Sequence, residues 1–122
     1  MTKEKSKHDH RSLVLWAANC AEHVLPYFEK QCPRDDRPRK AIEAGWAWVR
    51  GEITMGEARA AAFAAHAAAR DTNHSAARAA ARAAGHAAAT VHVASHAPHA
   101  VDYAITATEA AGIDGEAVVA EE

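Results

Sequence analysis

From residue 11 to residue 31, large apolar side chains return every three or four positions. They are Leu13, Trp16, Cys20, Val24 and Phe28, and between them stand mostly small or polar residues. This period predicts a helix over Arg11–Gln31 with those five on its buried face. Pro26 falls inside the run, lacks a backbone donor, and predicts a kink or an early end. The stretch "CPRDDRPRK" breaks the pattern, with Asp35 or Asp36 placed to cap a second helix and Pro38 acceptable in its first turn. That helix covers Pro38–Arg50, with Ile42, Trp46 and Val49 on one face and Trp48 off it, and Gly51 is its natural stop. Thr54 and Glu57 then have the spacing of a capping box, which opens a third helix ending near Arg70.

The second half has the same helical period but a different vocabulary. "DTNH" (71–74) interrupts the pattern, with Asn73 as the expected cap, and a fourth helix runs from Ser75 into a histidine-rich stretch. Pro98 either ends that helix or starts a fifth, which continues through Tyr103 and Ile105 to Gly112. Strand-like alternation is missing throughout. The expected fold class is all-α: a compact, close-packed, alanine-rich bundle of about five helices. Residues 1–10 are expected to be a flexible charged tail, 11–112 one helical domain, and 113–122 an acidic, possibly frayed end.

Composition changes this picture in one respect. Alanine makes up more than a quarter of the chain, while leucine occurs only at Leu13, Leu15 and Leu25. Each buried methylene contributes about 0.8 kcal/mol, so alanine interfaces yield little per residue. Such helices gain by approaching closely, or by being covered by a second copy or another protein. Two segments also resemble each other, "ARAAAFAAHAAAR" (58–70) and "ARAAARAAGHAAAT" (77–90). A duplicated helix and compositional drift both give this look.

The net charge of −2 argues against a general affinity for polyanions, but the charge is unevenly placed. All 14 Lys and Arg lie before residue 83, and Asp102, Glu109, Asp114, Glu116, Glu121 and Glu122 lie after it. The acidic end is expected to fold back on the arginine-bearing helices, or to form one half of a two-signed docking surface. Cys20 and Cys32 make no disulfide framework. No apolar run reaches the about 18 residues of a membrane span, and no signal peptide opens the chain, so a cytoplasmic location is expected.

Candidate chemistry centres on "GHAAATVHVASHAPHAVDYA" (85–104). On one continuous helix His92, His96 and His99 fall at i, i+4 and i+7, and Tyr103 extends the line. Two imidazoles one turn apart can share an ion, which makes these three the candidate metal ligands. Against that stand the missing HExxH motif, the single nearby acid Asp102, and Pro98 inside the stripe. The alternative is that the rings pack between alanine helices or face water. If half-exposed, they would make association pH-dependent near their ordinary pKa of about 6.5, and a cationic partner would bind less tightly in acid. His66, His86 and His23 read as packing groups. Trp16, Phe28, Trp46 and Phe63 read as core, and Trp48 as an interface anchor. Arg59, Arg70, Arg78 and Arg82 form a candidate cationic ridge, without a nucleic-acid recognition motif. No phosphate loop, GxSxG elbow or Cys–His nucleophile signature is present, so neither a cofactor nor a catalytic residue is assigned.

Three segments resemble one family: "LWAANCAEHVLPYFE" (15–29), "DDRPRKAIEAGWAWVRGEITMGEARAAAFAAHAAAR" (35–70) and "AARAAGHAAATVHVASHAPHAVDYA" (80–104). They are similar to the Imm-five-like immunity proteins of bacterial polymorphic toxin systems, small helical proteins that neutralise a toxin. The resemblance implies a non-enzymatic binding protein with a cognate toxin as partner. It also implies that His86, His92, His96 and His99 are hallmark positions. His66, Arg59 and Trp48 join them as possible interface residues. Family members continue past "AVVAEE" into a further Trp-containing helix, which suggests a shorter or truncated chain. The alternative is a histidine-rich metal-binding helical protein, or a metal-dependent enzyme.

Overall fold

The computed structural model describes residues 3–113, with side chains described from residue 9 onward. It is an all-α bundle of five helices: α1 (Lys3–Gln31), α2 (Arg37–Val49), α3 (Met55–Arg70), α4 (Ser75–Ala89) and α5 (His96–Ile113). The acidic end (114–122) lies outside the described residues. Helix α4 is the central element and packs against all four others.

The composition of α4 explains its place. Eleven of its positions are buried, and all of them are Ala or Gly85. A helix of methyl groups presents little bulk, so neighbours can close on it from several sides. Its longer side chains form one stripe, Arg78, Arg82 and His86, spaced one turn apart, and beyond the first residue, Ser75, only this stripe reaches toward solvent. The α1–α2 side is built differently. Phe28, Leu25, Ile42, Val14 and Val24 from these two helices lead the fully buried side chains in size.

Several ends follow their predicted chemistry. Thr54 Oγ1 accepts from the Glu57 N–H at 3.1 Å and Glu57 Oε1 accepts from the Thr54 N–H at 2.8 Å, a complete capping box. Gly51 follows α2 with φ of +77°, a conformation that disfavours a Cβ. At the start of α2 Asp36 holds the cap position without a side-chain bond. Asp35 does the bonding, accepting from the Arg37 backbone N–H at 3.1 Å and from its guanidinium at 2.7 and 2.9 Å. His74, not Asn73, caps α4: its Nδ1 accepts from the Ala77 N–H at 3.2 Å.

Four expectations need correction. Helix α1 begins at Lys3, not Arg11, since Lys and Glu are good helix formers and the charged stretch continues the helix. It also runs unbroken through Pro26. Its buried face is Val14, Ala17, Ala18, Ala21, Val24, Leu25 and Phe28, and Trp16 is 46% exposed. The alanines set that face, because α4 can lie close only against small residues, and Trp16 is turned outward. Phe63 is likewise 60% exposed, while Trp46 and Trp48 are half-buried. Finally, α4 stops at Ala89. The β-branched Thr90, Val91 and Val93 that follow are poor helix formers, and turns carry the chain to His96.

The described C-terminal acids do not fold back on arginines. Ion pairs among the described residues join Arg37 to Asp35 and Asp71, Arg39 to Glu29, Lys40 to Asp36 and Arg50 to Glu52. Asp102 and Glu109 take part in none of them.

Candidate functional site

Histidines from three helices meet at the rim of the α3–α4–α5 contact. His86, on the one polar stripe of α4, is the hub. Its ring lies 4.8 Å from that of His66 on α3, edge to face. On α5 it lies 5.1 Å from His96, 5.4 Å from His99, and 5.3 Å from Tyr103, which stacks on it within 9° of parallel. The two histidines of the similar segments, His66 and His86, therefore touch.

Hydrogen bonds fix the charge state of this group. Arg82 Nη1 donates to His66 Nδ1 at 3.0 Å. Arginine has only donors, so His66 must be neutral with its proton on Nε2. His86 Nδ1 and His96 Nδ1 are 2.9 Å apart, so one carries a hydrogen and the other a lone pair. The electrostatics agree. Burial first, then the Arg82 charge, pushes His66 down to about 4. Burial, then the neighbouring His66, pushes His86 down to about 4. His96 is also lowered, by burial and then by His99. His66 and His86, at the centre of the cluster, are uncharged imidazoles at neutral pH.

Gly85 makes this packing possible. A Cβ there would sit 2.6 to 2.8 Å from three atoms of the His66 ring. The ring occupies the space a side chain would take. Glycine in a helix costs about 1 kcal/mol relative to alanine. A lone Gly inside an alanine helix was the available signal of such a close approach. The sequence reading missed Gly85, and it missed Arg82 as the partner that fixes the His66 tautomer.

The predicted stripe of His92, His96 and His99 does not form, because its continuous helix does not exist. His92 sits in the turn before α5, 6.4 Å ring to ring from His96, and its Nδ1 is buried without a hydrogen-bond partner. His96 and His99 are 6.1 Å apart. Among the described residues no three His, Cys, Asp or Glu side chains are grouped so as to hold a metal ion. The two other predicted residues lie apart from the cluster. Trp48 packs beside the small core of Val14, Ala58 and Val91, with the His10 ring at 5.0 Å. His10 Nε2 in turn contacts the Thr90 carbonyl at 2.7 Å, which ties α1 to the end of α4. Arg59 lies over the Phe63 ring at 5.4 Å.

An apolar groove of about 300 Å³ runs between α1 and α5, with Cys20, His23, Ile105 and Glu109 among its lining residues. Burial pushes the Cys20 thiol up, away from the thiolate a nucleophile requires. His66 and His86 have the converse defect as catalysts. A base that protonates near pH 4 is poorly matched to work at neutral pH.

No helix among the described residues is long and apolar enough to cross a membrane. A family model described as "Imm-5 like putative immunity protein" matches residues 3–122. No curated protein and no solved structure matches the chain.

Proposed function

The chain belongs to the Imm-5-like immunity-protein family over nearly its whole length, and from that membership we propose that it binds and neutralises a cognate bacterial toxin. It acts without catalysis, as a rigid body that occludes or distorts the toxin's active site. The family match carries the reading. The low protonation pH of His66 and His86 and the upward-shifted Cys20 thiol fit a protein that binds without reacting. His86, His96, His99 and His66 contribute by holding α3, α4 and α5 in one arrangement, so that the surface a toxin meets is preformed. Half-buried His92 and Trp48 and exposed Arg59 are assigned to the surroundings of that frame. The location that fits this role is the cytoplasm.

The experiment is co-expression with the toxin encoded beside the gene. The chain should restore growth and should form a stoichiometric complex in solution. Growth arrest that continues despite abundant folded chain would overturn the reading. So would a stoichiometric metal lost on His92→Ala, which belongs to the metal-dependent alternative.

A further inference from the structure

The arginines from Arg37 to Arg82 fall into two groups. Arg37, Arg39 and Arg50 each pair with a carboxylate. On the α3–α4 hairpin, Arg59, Arg70, Arg78 and Arg82 have none among the described residues. Arg59 lies over Phe63, Arg78 donates to the Thr72 carbonyl at 3.0 and 3.1 Å, and Arg82 donates to His66. The acids at the two ends of α3 are already engaged. Glu57 closes the capping box and Asp71 accepts from Arg37.

These cations share one side of the molecule. Arg59, Phe63, His66 and Arg70 follow one another at three- or four-residue steps along α3, which places them in one row. Arg78, Arg82 and His86 form the matching row on α4. The rows meet where His66 touches Arg82 and lies over Gly85. Arg70 and Arg82 are both near enough for their charges to act on the His66 ring. Phe63, in the middle of the α3 row, leaves 60% of its surface in water.

We propose that this α3–α4 face, carrying Arg59, Phe63, Arg70, Arg78 and Arg82, is the docking surface for an acidic protein partner with an apolar patch opposite Phe63. The inference rests on the immunity reading, with the toxin as that partner. Charge complementarity carries the assignment. Four cations with no ion-pair partner among the described residues form a field that attracts an anionic surface and speeds encounter. An exposed aromatic among arginines is the composition of an interface core. Beneath them the Arg82–His66 bond and the seating of the His66 ring over Gly85 hold the two helices together.

The test uses the full chain, the neighbour-encoded toxin, and three forms of the chain: unaltered, Arg59→Glu/Arg70→Glu, and Arg34→Glu. Arg34 is exposed in the α1–α2 loop and serves as the charge control. Helical content by circular dichroism should match in all three, because every altered side chain is exposed. Reversing the two α3 charges should weaken toxin binding on the order of 100-fold, since like charges across an interface cost several kcal/mol. Raising salt to about 0.3 M should weaken the unaltered chain more than the double variant. Arg34→Glu should bind as the unaltered chain does. Equal binding by all three forms would overturn this face while leaving the immunity reading intact. Absence of binding by the unaltered chain would overturn both. A labelled DNA duplex bound more tightly than the toxin, and released by the double variant, would overturn the protein partner and give the face to nucleic acid.

Discussion

The two sides of this bundle solve the same packing problem with different materials. Between α1 and α2, Phe28, Leu25 and Ile42 fill space with branched and aromatic bulk. Between α3, α4 and α5, alanine methyls bring the backbones together, and imidazoles close the rim. The first side gains from the area it buries. The second buries little area per side chain, and its specificity comes from directional bonds that fix tautomers and a glycine that admits a ring. Large apolar residues tolerate exchange of similar shapes. An alanine–imidazole seam does not, because Gly85 leaves no room for a side chain and the Nδ1 atoms of His66, His86 and His96 each have a fixed partner.

The largest effect should come from the bulky side. Phe28→Ala removes a fully buried ring and should cost about 3–5 kcal/mol in chemical denaturation. A loss below about 1 kcal/mol would mean that the α1–α2 core is not where most stability resides.

Acid should act on the seam instead. His66 and His86 are held near 4 in the fold against 6.5 as the ordinary value. Between those values the unfolded chain binds more protons than the folded one. Stability is therefore complete above about pH 6.5 and falls as pH drops toward 4. Both rings are partly solvated, so the loss should be smaller than that of Phe28→Ala. Melting midpoints from pH 7.5 to 4.5 measure it. A midpoint that rises on acidification would contradict the neutral seam.

Gly85→Ala sets propensity against packing. On propensity alone it stabilises a helix by about 1 kcal/mol. The contact of under 3 Å with the His66 ring should reverse the sign, to a net loss of about 1–3 kcal/mol. Adding His66→Ala should recover part of that loss. If Gly85→Ala is stabilising by itself, the close ring packing is refuted. Smallest is Thr54→Ala, which removes one half of the capping box, with an expected cost of about 1 kcal/mol. It acts on neither core, so its effect should add to that of Phe28→Ala or Gly85→Ala.

These cases also mark how far the residues alone could be read. Helix number, the Thr54 cap and the Gly51 stop were legible because each depends on a few neighbouring residues. The face of α1 was misread at Trp16 because large apolar side chains dominate a periodicity, whereas the true contact with α4 selects small ones. The stripe of His92, His96 and His99 failed for a local reason, the β-branched residues that end α4 early. The real cluster joins His66 to His86, His96 and His99 through tertiary packing, which no spacing within one helix encodes. Gly85 was the one local clue to it.

The most direct test follows the ring protons themselves. Titration of the ¹⁵N-labelled histidines by NMR should show His66 and His86 neutral down to about pH 4, with the His66 proton on Nε2 throughout. Both rings taking up a proton at the ordinary value near 6.5, with the fold intact, would contradict the account of an uncharged imidazole seam.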